Sequence, residues 1–256
     1  MVPGCYLWLL QLLLLAAVPW AQGREGEAKE QIVTAGKNCE RLDHQWHVVL
    51  LKGSQPYCSG VLLDRRWVVT AAHCQLRKYN VYLGKQHLKK YEKWIVKVKA
   101  HKSYPHPEYS PDTHINDIML IKLKKPSPLG NNIEPANIPT KCISPGTTCT
   151  VSGWGITSSP KATYPDRIQC TDVNILSTSD CKKIYQDKIQ DSMLCAALPN
   201  STINACNGDS GGPLICDKSL QGLVSWGGST CGQPNEPGVY TNFCHFLPWI
   251  TKTMKN

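Results

Sequence analysis

Residues 208–213 read GDSGGP, which places a serine between an aspartate and two glycines. A serine hydroxyl is a weak nucleophile at neutral pH, so it needs an imidazole to take its proton and a carboxylate to orient that imidazole. His73 in the segment TAAHC and Asp117 in the segment HINDIML supply these groups, in the chain order His, Asp, Ser. Each residue alone is typical of an ordinary structural position, but the three segments together indicate that Ser210 is an activated nucleophile.

The composition limits the class of protein. The chain has 256 residues, of which 41% are hydrophobic and 18% are charged, and this balance excludes a disordered chain. Beyond the N-terminal leader no apolar run reaches about 18 residues, which excludes a multi-pass membrane protein. About 225 residues would remain without the leader, enough for one large domain or two fused small barrels.

The N-terminal segment predicts export. Residues 9–18 are apolar, and Ala21 and Gly23 are small residues spaced as in a signal-peptidase site, so residues 1–23 are interpreted as a signal peptide. The apolar run is too short for a permanent membrane anchor. Cleavage removes Cys5 and leaves twelve of the thirteen cysteines, an even number that suits disulfides in an oxidising compartment. The sequence therefore predicts a secreted, extracellular protein.

Short strand-like runs separated by turn residues dominate the rest of the chain. Residues 93–100 alternate polar and apolar side chains, as in a half-buried strand. Only residues 178–185 and 246–255 indicate helices. The pattern favours an all-β fold of antiparallel barrels or a sandwich, with a junction between two halves near residues 125–145.

The chain is basic, with a formal net charge of +9. A run of seven lysines is interpreted either as a solvated surface or as a patch for a sulfated glycosaminoglycan or an acidic partner. No nucleic-acid-binding motif is recognised, so nucleic acid is not expected as a partner. The lysines of this run are Lys85, Lys89, Lys90, Lys93, Lys97, Lys99 and Lys102.

Several segments resemble those of the trypsin-like serine proteases, and the match extends over nearly the whole secreted chain: TAAHC, DIMLIKL, GDSGGPL, SWG and PGVYT. Within that family, four segments are similar to the tissue kallikreins, and among these to the chymotryptic kind of the stratum corneum: PGTTCTVSGWG, NACNGDSGGPL, LQGLVSWG and CGQPN. The resemblance implies two six-stranded antiparallel β-barrels with a C-terminal helix, in a monomeric protease domain over residues 32–256.

The resemblance also implies the chemistry. Ser210 would attack the peptide carbonyl and form an acyl-enzyme, His73 would act as base and then as acid, and Asp117 would orient His73. Protein or peptide substrates and serpin-type or Kazal-type inhibitors would be the partners. No cofactor and no metal is required.

The kallikrein pattern pairs every cysteine of the secreted chain, whereas spacing alone leaves about ten thousand connectivities open. One implied disulfide would clamp His73, and another would brace the substrate pocket. The implied pairs are Cys58–Cys74, Cys39–Cys170, Cys142–Cys244, Cys149–Cys216, Cys181–Cys195 and Cys206–Cys231.

The resemblance assigns further residues around the nucleophile. The backbone N–H groups of Gly208 and Ser210 would form the oxyanion hole, where one donor is worth about 3 kcal/mol. Gly208 allows backbone geometry that a side chain would obstruct. Ser225, Trp226 and Gly227 would pair with the substrate backbone as an added strand.

The primary pocket is assigned in the same way. Trypsin-like members have Asp at the pocket floor, six positions before the nucleophile, and this chain has Asn204 there. A neutral amide does not compensate a buried cation, so cleavage after Tyr, Phe or Leu is predicted rather than after Lys or Arg. Gly227 and Gly238 would line the pocket walls. Asn204 is interpreted either as a partner of a tyrosine hydroxyl or as a residue that leaves selection to size.

Family members are made as zymogens, in which a newly freed N-terminus pairs with the Asp before the nucleophile, here Asp209. The family pattern has Lys or Arg before the new terminus, but in this chain Gln31 precedes Ile32. Residues 24–31 are therefore interpreted as an activation propeptide. The hypothesis is a first cleavage after Lys29 by an activating protease, followed by removal of the remaining dipeptide to free Ile32.

Alternatives to this activation remain open. Counting back from Cys39 makes Val33 the new terminus, and an activator could also cut after Gln31 directly. A second hypothesis from another class is a secreted binding protein that stays locked on a protease scaffold for want of activation.

Three residues besides the catalytic ones receive an interpretation. His114 precedes Asp117 by three positions and is interpreted as a substrate-subsite residue or, with His73, as part of a weak inhibitory zinc site. Calcium-binding relatives have Glu at the position of Lys85, so no calcium site is expected. Asn200 begins an N-glycosylation sequon, Asn-Ser-Thr.

Overall fold

The computed structural model describes residues 37–53, 55–155, 165–198, 209–227 and 236–255. After the short strand β1 (Lys37–Asn38), six antiparallel strands form the first barrel: β2 (His47–Lys52), β3 (Gln55–Leu62), β4 (Trp67–Thr70), β5 (Asn80–Leu83), β6 (Val96–Pro105) and β7 (Met119–Leu123). They close in the order β2-β3-β4-β7-β6-β5, since β5 also pairs with β2.

A second set of antiparallel strands follows residue 147: β8 (Thr148–Gly153), β9 (Gln169–Ile175), β10 (Met193–Ala197), β11 (Pro213–Cys216), β12 (Ser219–Trp226) and β13 (Gly238–Asn242). They run in the order β9-β10-β13-β12-β11-β8, and the pairing of β8 with β9 closes the ring. β1 pairs with β9 at the side of this barrel. The predicted fold of two six-stranded antiparallel barrels is therefore confirmed.

Two short helices accompany the second barrel, α1 (Thr178–Tyr185) and α2 (Leu247–Met254). α1 begins after Ser177, whose hydroxyl accepts a hydrogen bond from the Asp180 N–H at 3.0 Å and so caps the helix. α2 follows a 3-10 turn and has Pro248 in its first turn, where the missing N–H costs nothing. Both helices lie where the sequence predicts them.

Each barrel has its own apolar core, because alternate side chains of its strands point inward. Leu50 and Ile121 are fully buried in the first core, and Val173 and Tyr240 are buried in the second. A third cluster joins the two barrels and packs α2 against them: Val61, Trp67, Leu120, Leu223, Phe243 and Ile250.

β6 differs from the predicted strand at residues 93–100. It begins only at Val96, because residues 92–95 form a turn in which the Ile95 N–H donates to the Glu92 carbonyl at 3.1 Å. It then continues to Pro105 through a bulge between Ala100 and Lys102, pairing first with β5 and then with β7. The alternation of polar and apolar side chains in residues 93–100 stops at this bulge, because the bulge shifts the register of the strand.

Five disulfides lie within the described residues, and they are five of the six pairs that the resemblance implies. The pair Cys206–Cys231 lies outside the described residues. The five are Cys39–Cys170, Cys58–Cys74, Cys142–Cys244, Cys149–Cys216 and Cys181–Cys195.

Candidate active site

His73 lies in the 3-10 turn Ala72–Cys74 that ends β4, and the Cys58–Cys74 disulfide ties this turn to β3. Its Nδ1 is 2.7 Å from Oδ2 of Asp117, and its backbone N–H donates to Oδ1 of the same carboxylate at 2.9 Å. A carboxylate only accepts, so Nδ1 carries the proton and Nε2 of the neutral ring is left as an acceptor. The His73 side chain is 23% exposed, so the ring is partly accessible from solvent.

Asp117 lies two residues before β7, and its side chain is only 1% exposed. The Ser225 hydroxyl donates to Oδ2 at 2.5 Å, and the Thr241 hydroxyl donates to the Asp117 carbonyl at 2.6 Å. Burial alone would raise the pKa of Asp117, but the polar groups of His114, His73 and Ser225 that face it lower the pKa below its ordinary value. Asp117 is therefore a fixed negative charge behind the His73 ring.

His114 completes a small cluster beside this pair. Its Nδ1 lies 3.6 Å from Asp117 Oδ2, too far for a direct hydrogen bond, and its ring meets the His73 ring edge-on at 5.6 Å between centroids. His114 and Asn116 both have positive φ, of 54° and 57°. Ligand atoms of His73, His114 and Asp117 lie within 4.8 Å of one another, so these three residues could hold a divalent cation.

Ser210 lies just before β11, on a segment anchored to both barrels. The Ser59 N–H of β3 donates to the Ser210 carbonyl at 2.8 Å, and the Gly211 N–H donates to Val224 at 2.7 Å. The Ser210 carbonyl is also 3.7 Å from the sulfur of Cys74, the residue that follows His73. These contacts bring the predicted nucleophile beside the His73 turn.

The glycine after the serine is required by geometry. Gly211 has a φ of +77°, which disfavours any side chain, and a Cβ there would collide with the Thr70 hydroxyl and the Ser59 carbonyl. Among the described residues, none accepts a hydrogen bond from the Ser210 backbone N–H, which is one of the two predicted oxyanion donors. The second predicted donor, Gly208, lies outside the described residues.

The Asp209 carboxyl group faces the end of β8. Its Oδ1 accepts a hydrogen bond from the Gly155 N–H at 2.8 Å. A Cβ on Gly153 or Gly155 would collide with the Asp209 carboxyl group, so the segment SGWG is matched to this carboxylate. Ile32, the predicted partner of Asp209, lies outside the described residues.

The predicted pocket is described only in part. Ser225 and Trp226 end β12, Gly227 follows, and Gly238 begins β13. A Cβ on Gly238 would lie 3.0 Å from the Tyr240 ring. Asn204 at the predicted floor and the sequon residue Asn200 lie outside the described residues. Sequence reasoning assigned Ser225 only to substrate pairing and missed its hydrogen bond to Asp117.

A cleft of about 510 Å³ adjoins the site at His114. Its walls include the apolar side chains of Ile115, Tyr185 and Trp226. The Tyr185 and Trp226 rings meet edge-on at 5.0 Å, and the Tyr185 hydroxyl donates to the Pro237 carbonyl at 2.7 Å. This cleft offers apolar contact area next to the reactive groups.

His47 on β2 is a buried residue that sequence reasoning missed. Its Nδ1 is 3.0 Å from the Ser152 hydroxyl of the second barrel, and its Nε2 is 3.0 Å from the Ser59 hydroxyl of the first. The ring meets Trp154 edge-on at 5.1 Å. Burial, assisted by the nearby His44, lowers the pKa of His47 to about 3. Nothing in the run HVVLL beyond a polar residue on an apolar strand signals this bridge.

The predicted lysine patch is wrong at Lys85. That side chain is only 8% exposed, and burial lowers its pKa although Glu92 nearby acts in the opposite direction. The other six lysines of the run are exposed. Lys90 lies 3.8 Å from Asp166, so part of the run faces a carboxylate. The prediction failed because a charge count along the chain ignores which side of the loop faces the core.

The trypsin family model matches residues 33–250 of this chain. The chain therefore belongs to the trypsin family of serine proteases and is a serine endopeptidase. Among the described residues no helix is long and apolar enough to cross a bilayer.

Within that family its relatives are kallikreins, as the motifs predicted. The chain is 50% identical to human Kallikrein-7 over 246 residues, which cover 96% of each protein. It is 42% identical to human Kallikrein-14 over 250 residues, covering 97% of this chain and 92% of that one. The solved structure of mouse neuropsin, described as a serine protease expressed in the limbic system of mouse brain, matches with a TM-score of 0.82 and 40% identity over 86% of this chain and 98% of neuropsin.

Proposed function

We propose that this kallikrein-type endopeptidase is a secreted enzyme that cleaves extracellular proteins after Tyr, Phe or Leu. The single observation that carries the catalytic part is the 2.7 Å contact between His73 Nδ1 and Asp117 Oδ2, on a carboxylate that is almost fully buried. It fixes the tautomer that leaves Nε2 free to accept a proton. Ser210, held beside the His73 turn, is the nucleophile that donates it.

The reaction has two balanced halves. The Ser210 oxygen bonds to the peptide carbonyl carbon while its proton passes to His73, and the N–H of Ser210 stabilises the oxyanion together with that of Gly208. The C–N bond then breaks, and the leaving amine takes the proton from His73. In the second half a water molecule gives a proton to His73 and bonds to the acyl carbon. The bond from that carbon to the Ser210 oxygen then breaks, and His73 returns the proton to Ser210 as the new carboxylic acid leaves.

Specificity for large neutral side chains rests on Asn204, which offers no charge to a buried Lys or Arg. The apolar walls of the cleft at Ile115, Tyr185 and Trp226 would contact apolar residues of the substrate on the N-terminal side of the scissile bond. His114 lies at the rim of that cleft and would contact the same segment.

The test has two parts. A fluorophosphonate probe should label the processed protein and leave Ser210→Ala unlabelled. A panel of peptides with Tyr, Phe, Leu, Lys or Arg before the scissile bond should show hydrolysis of the first three, and Asn204→Asp should shift the preference toward Lys and Arg. Faster cleavage of the arginyl peptide by the unaltered enzyme would refute the specificity.

Activation is proposed to follow the zymogen route. The carboxylate of Asp209, at the end of β8, supports pairing with a new N-terminus at Ile32, after loss of the signal peptide 1–23 and the propeptide 24–31. N-terminal sequencing of fully active secreted material should give Ile32. A terminus at Glu30 in active material would refute the two-step route. A terminus at Val33 would show that activation frees Val33 instead of Ile32. Glycosidase treatment of the same material tests the sequon at Asn200.

A further inference from the structure

The first barrel carries a cleft of about 870 Å³ that the catalytic groups do not use. Its lining includes Gln75, two residues after His73, and five β6 residues, Lys99, Ala100, His101, Lys102 and Ser103. Five of the side chains around it are permanently cationic at neutral pH: Arg77, Lys78, Lys99, Lys102 and Lys124.

These cations come from three separate parts of the chain. Arg77 and Lys78 lie in the turn before β5, and Lys124 directly follows β7. The antiparallel pairing of Asn80 with Lys99 brings the first turn to β6, and the Lys124 N–H donates to the Lys99 carbonyl at 3.0 Å. The fold therefore gathers charges that are up to 47 residues apart, from 77 to 124, around one concavity.

Within the described residues no carboxylate neutralises the positive charge of the cleft. All five cationic side chains are exposed. Across residues 37–53, 55–155 and the other described ranges, no carboxylate lines the cleft and none of the five takes part in an ion pair. A concave surface of one sign concentrates its field and attracts a polyanion.

We propose that this cleft binds a sulfated glycosaminoglycan chain. Four of its five cations are lysines, whose ammonium groups act as separate point charges and can each pair with one sulfate group along a glycan chain. A protein partner would need an exposed aromatic or apolar anchor. Tyr79 of the lining is buried with its hydroxyl bonded to Ser103, and the lining's aliphatic side chains Leu51 and Leu76 are buried or half-buried, so the lining has no exposed Tyr, Phe, Trp or aliphatic anchor.

The proposal is independent of the proposed protease specificity and differs from a patch along the whole lysine run. Lys99 and Lys102 belong to the cleft, but Lys89, Lys90 and Lys93 do not line it. Together with Lys124, the cleft lysines Lys99 and Lys102 make a set of three exposed lysines. Lys89, Lys90 and Lys93 are a second exposed set of three outside the cleft, so variants of the two sets lose the same number of positive charges.

Binding to immobilised heparin is measured for the processed protein on a Ser210→Ala background, so that the result does not depend on catalysis. The cleft variant is Lys99→Gln, Lys102→Gln and Lys124→Gln, and the control variant is Lys89→Gln, Lys90→Gln and Lys93→Gln. The dissociation constant should rise at least 10-fold in the cleft variant and less than about 3-fold in the control. The slope of log affinity against log salt should fall by about two to three in the cleft variant only, as counterion release at each lost contact implies.

Equal losses in both variants would refute the cleft and indicate a response to net charge. Desulfated heparin, poly-glutamate and phosphatidylserine vesicles are tested in parallel. Comparable affinity for poly-glutamate or for the vesicles would refute the glycan as the ligand. Protection of Lys99, Lys102 and Lys124 from acetylation by a heparin oligosaccharide, compared with Lys89 and Lys90, gives a second readout on the unaltered chain. Absence of that selective protection would also overturn the proposal.

Discussion

The buried His47 bridge makes a defined contribution to stability that depends on pH. In the folded protein both ring nitrogens of His47 are bonded to serine hydroxyls, and burial lowers its pKa to about 3 from an ordinary value of 6.5. In the unfolded chain the same ring takes up a proton as the pH falls below that ordinary value. The unfolded state then binds more protons than the folded state, so the free energy of unfolding decreases as the pH falls from 6.5 toward 3.

The size of this effect follows from linkage. One proton bound only by the unfolded state lowers the free energy of unfolding by about 1.4 kcal/mol for each pH unit below the ordinary pKa. Between about pH 6.5 and pH 4.5 His47 alone should therefore remove about 2.3 kcal/mol, because the ring in the unfolded chain is already half protonated at pH 6.5. This is a large fraction of the 5–15 kcal/mol, roughly, by which domains are stable.

The substitution that isolates this contribution is His47→Gln. A glutamine amide keeps one donor side and one acceptor side but does not titrate. His44, whose pKa burial also lowers, is present in both proteins and cancels in the comparison. Guanidinium unfolding on a Ser210→Ala background, followed by tryptophan fluorescence, gives the free energy of unfolding at several pH values without self-digestion.

The two proteins should differ most near neutral pH and converge as the pH falls. The difference in the free energy of unfolding should shrink by about 1.4 kcal/mol per pH unit below about pH 6.5. A difference that stays constant between about pH 7 and pH 4.5 would refute the reasoning, because it would mean that His47 is protonated equally in the folded and unfolded states.

Three further predictions concern the catalytic cluster. Asp117→Asn should lower kcat on a tyrosyl peptide, because an amide does not fix the tautomer of His73. The expected loss is about 10⁴-fold, the magnitude known for the triad of this superfamily. Ser225→Ala removes one hydrogen bond to a charged group, worth about 1.5 kcal/mol, so kcat should fall about 10-fold with KM unchanged, and an unaltered kcat would contradict its role. Zinc should inhibit peptide hydrolysis by binding His73, His114 and Asp117, whose ligand atoms lie within 4.8 Å of one another. His114→Ala should raise the inhibitory zinc concentration about 10-fold. Identical inhibition curves for the two proteins would exclude His114 as a ligand.

The sequence predicted the two barrels and the contact of His73 with Asp117 because these depend on motifs that are local and specific. It did not predict the partners of His47, since nothing in the run HVVLL shows which hydroxyls lie on the far side of the strand. Lys85 was placed wrongly on the surface for the same reason. Contacts across closed barrels depend on which segments meet in space, and one sequence without its fold does not contain that information in readable form.

The interface between the two barrels (called the seam below) explains why the reactive groups are sensitive to packing far from substrate. Asp117 lies two residues before β7 of the first barrel, yet its carboxylate is held by Ser225 from the second. In the opposite direction, the Ser210 segment of the second barrel is held by the Ser59 N–H of the first. His47 bonds the side chain of that same Ser59 and reaches across the seam to the second barrel. A shift of one barrel against the other therefore displaces both the Ser210 segment and the Asp117 carboxylate. A substitution at His47 that loosens the contact between the barrels should then lower kcat as well as the free energy of unfolding, although it changes no group that touches substrate.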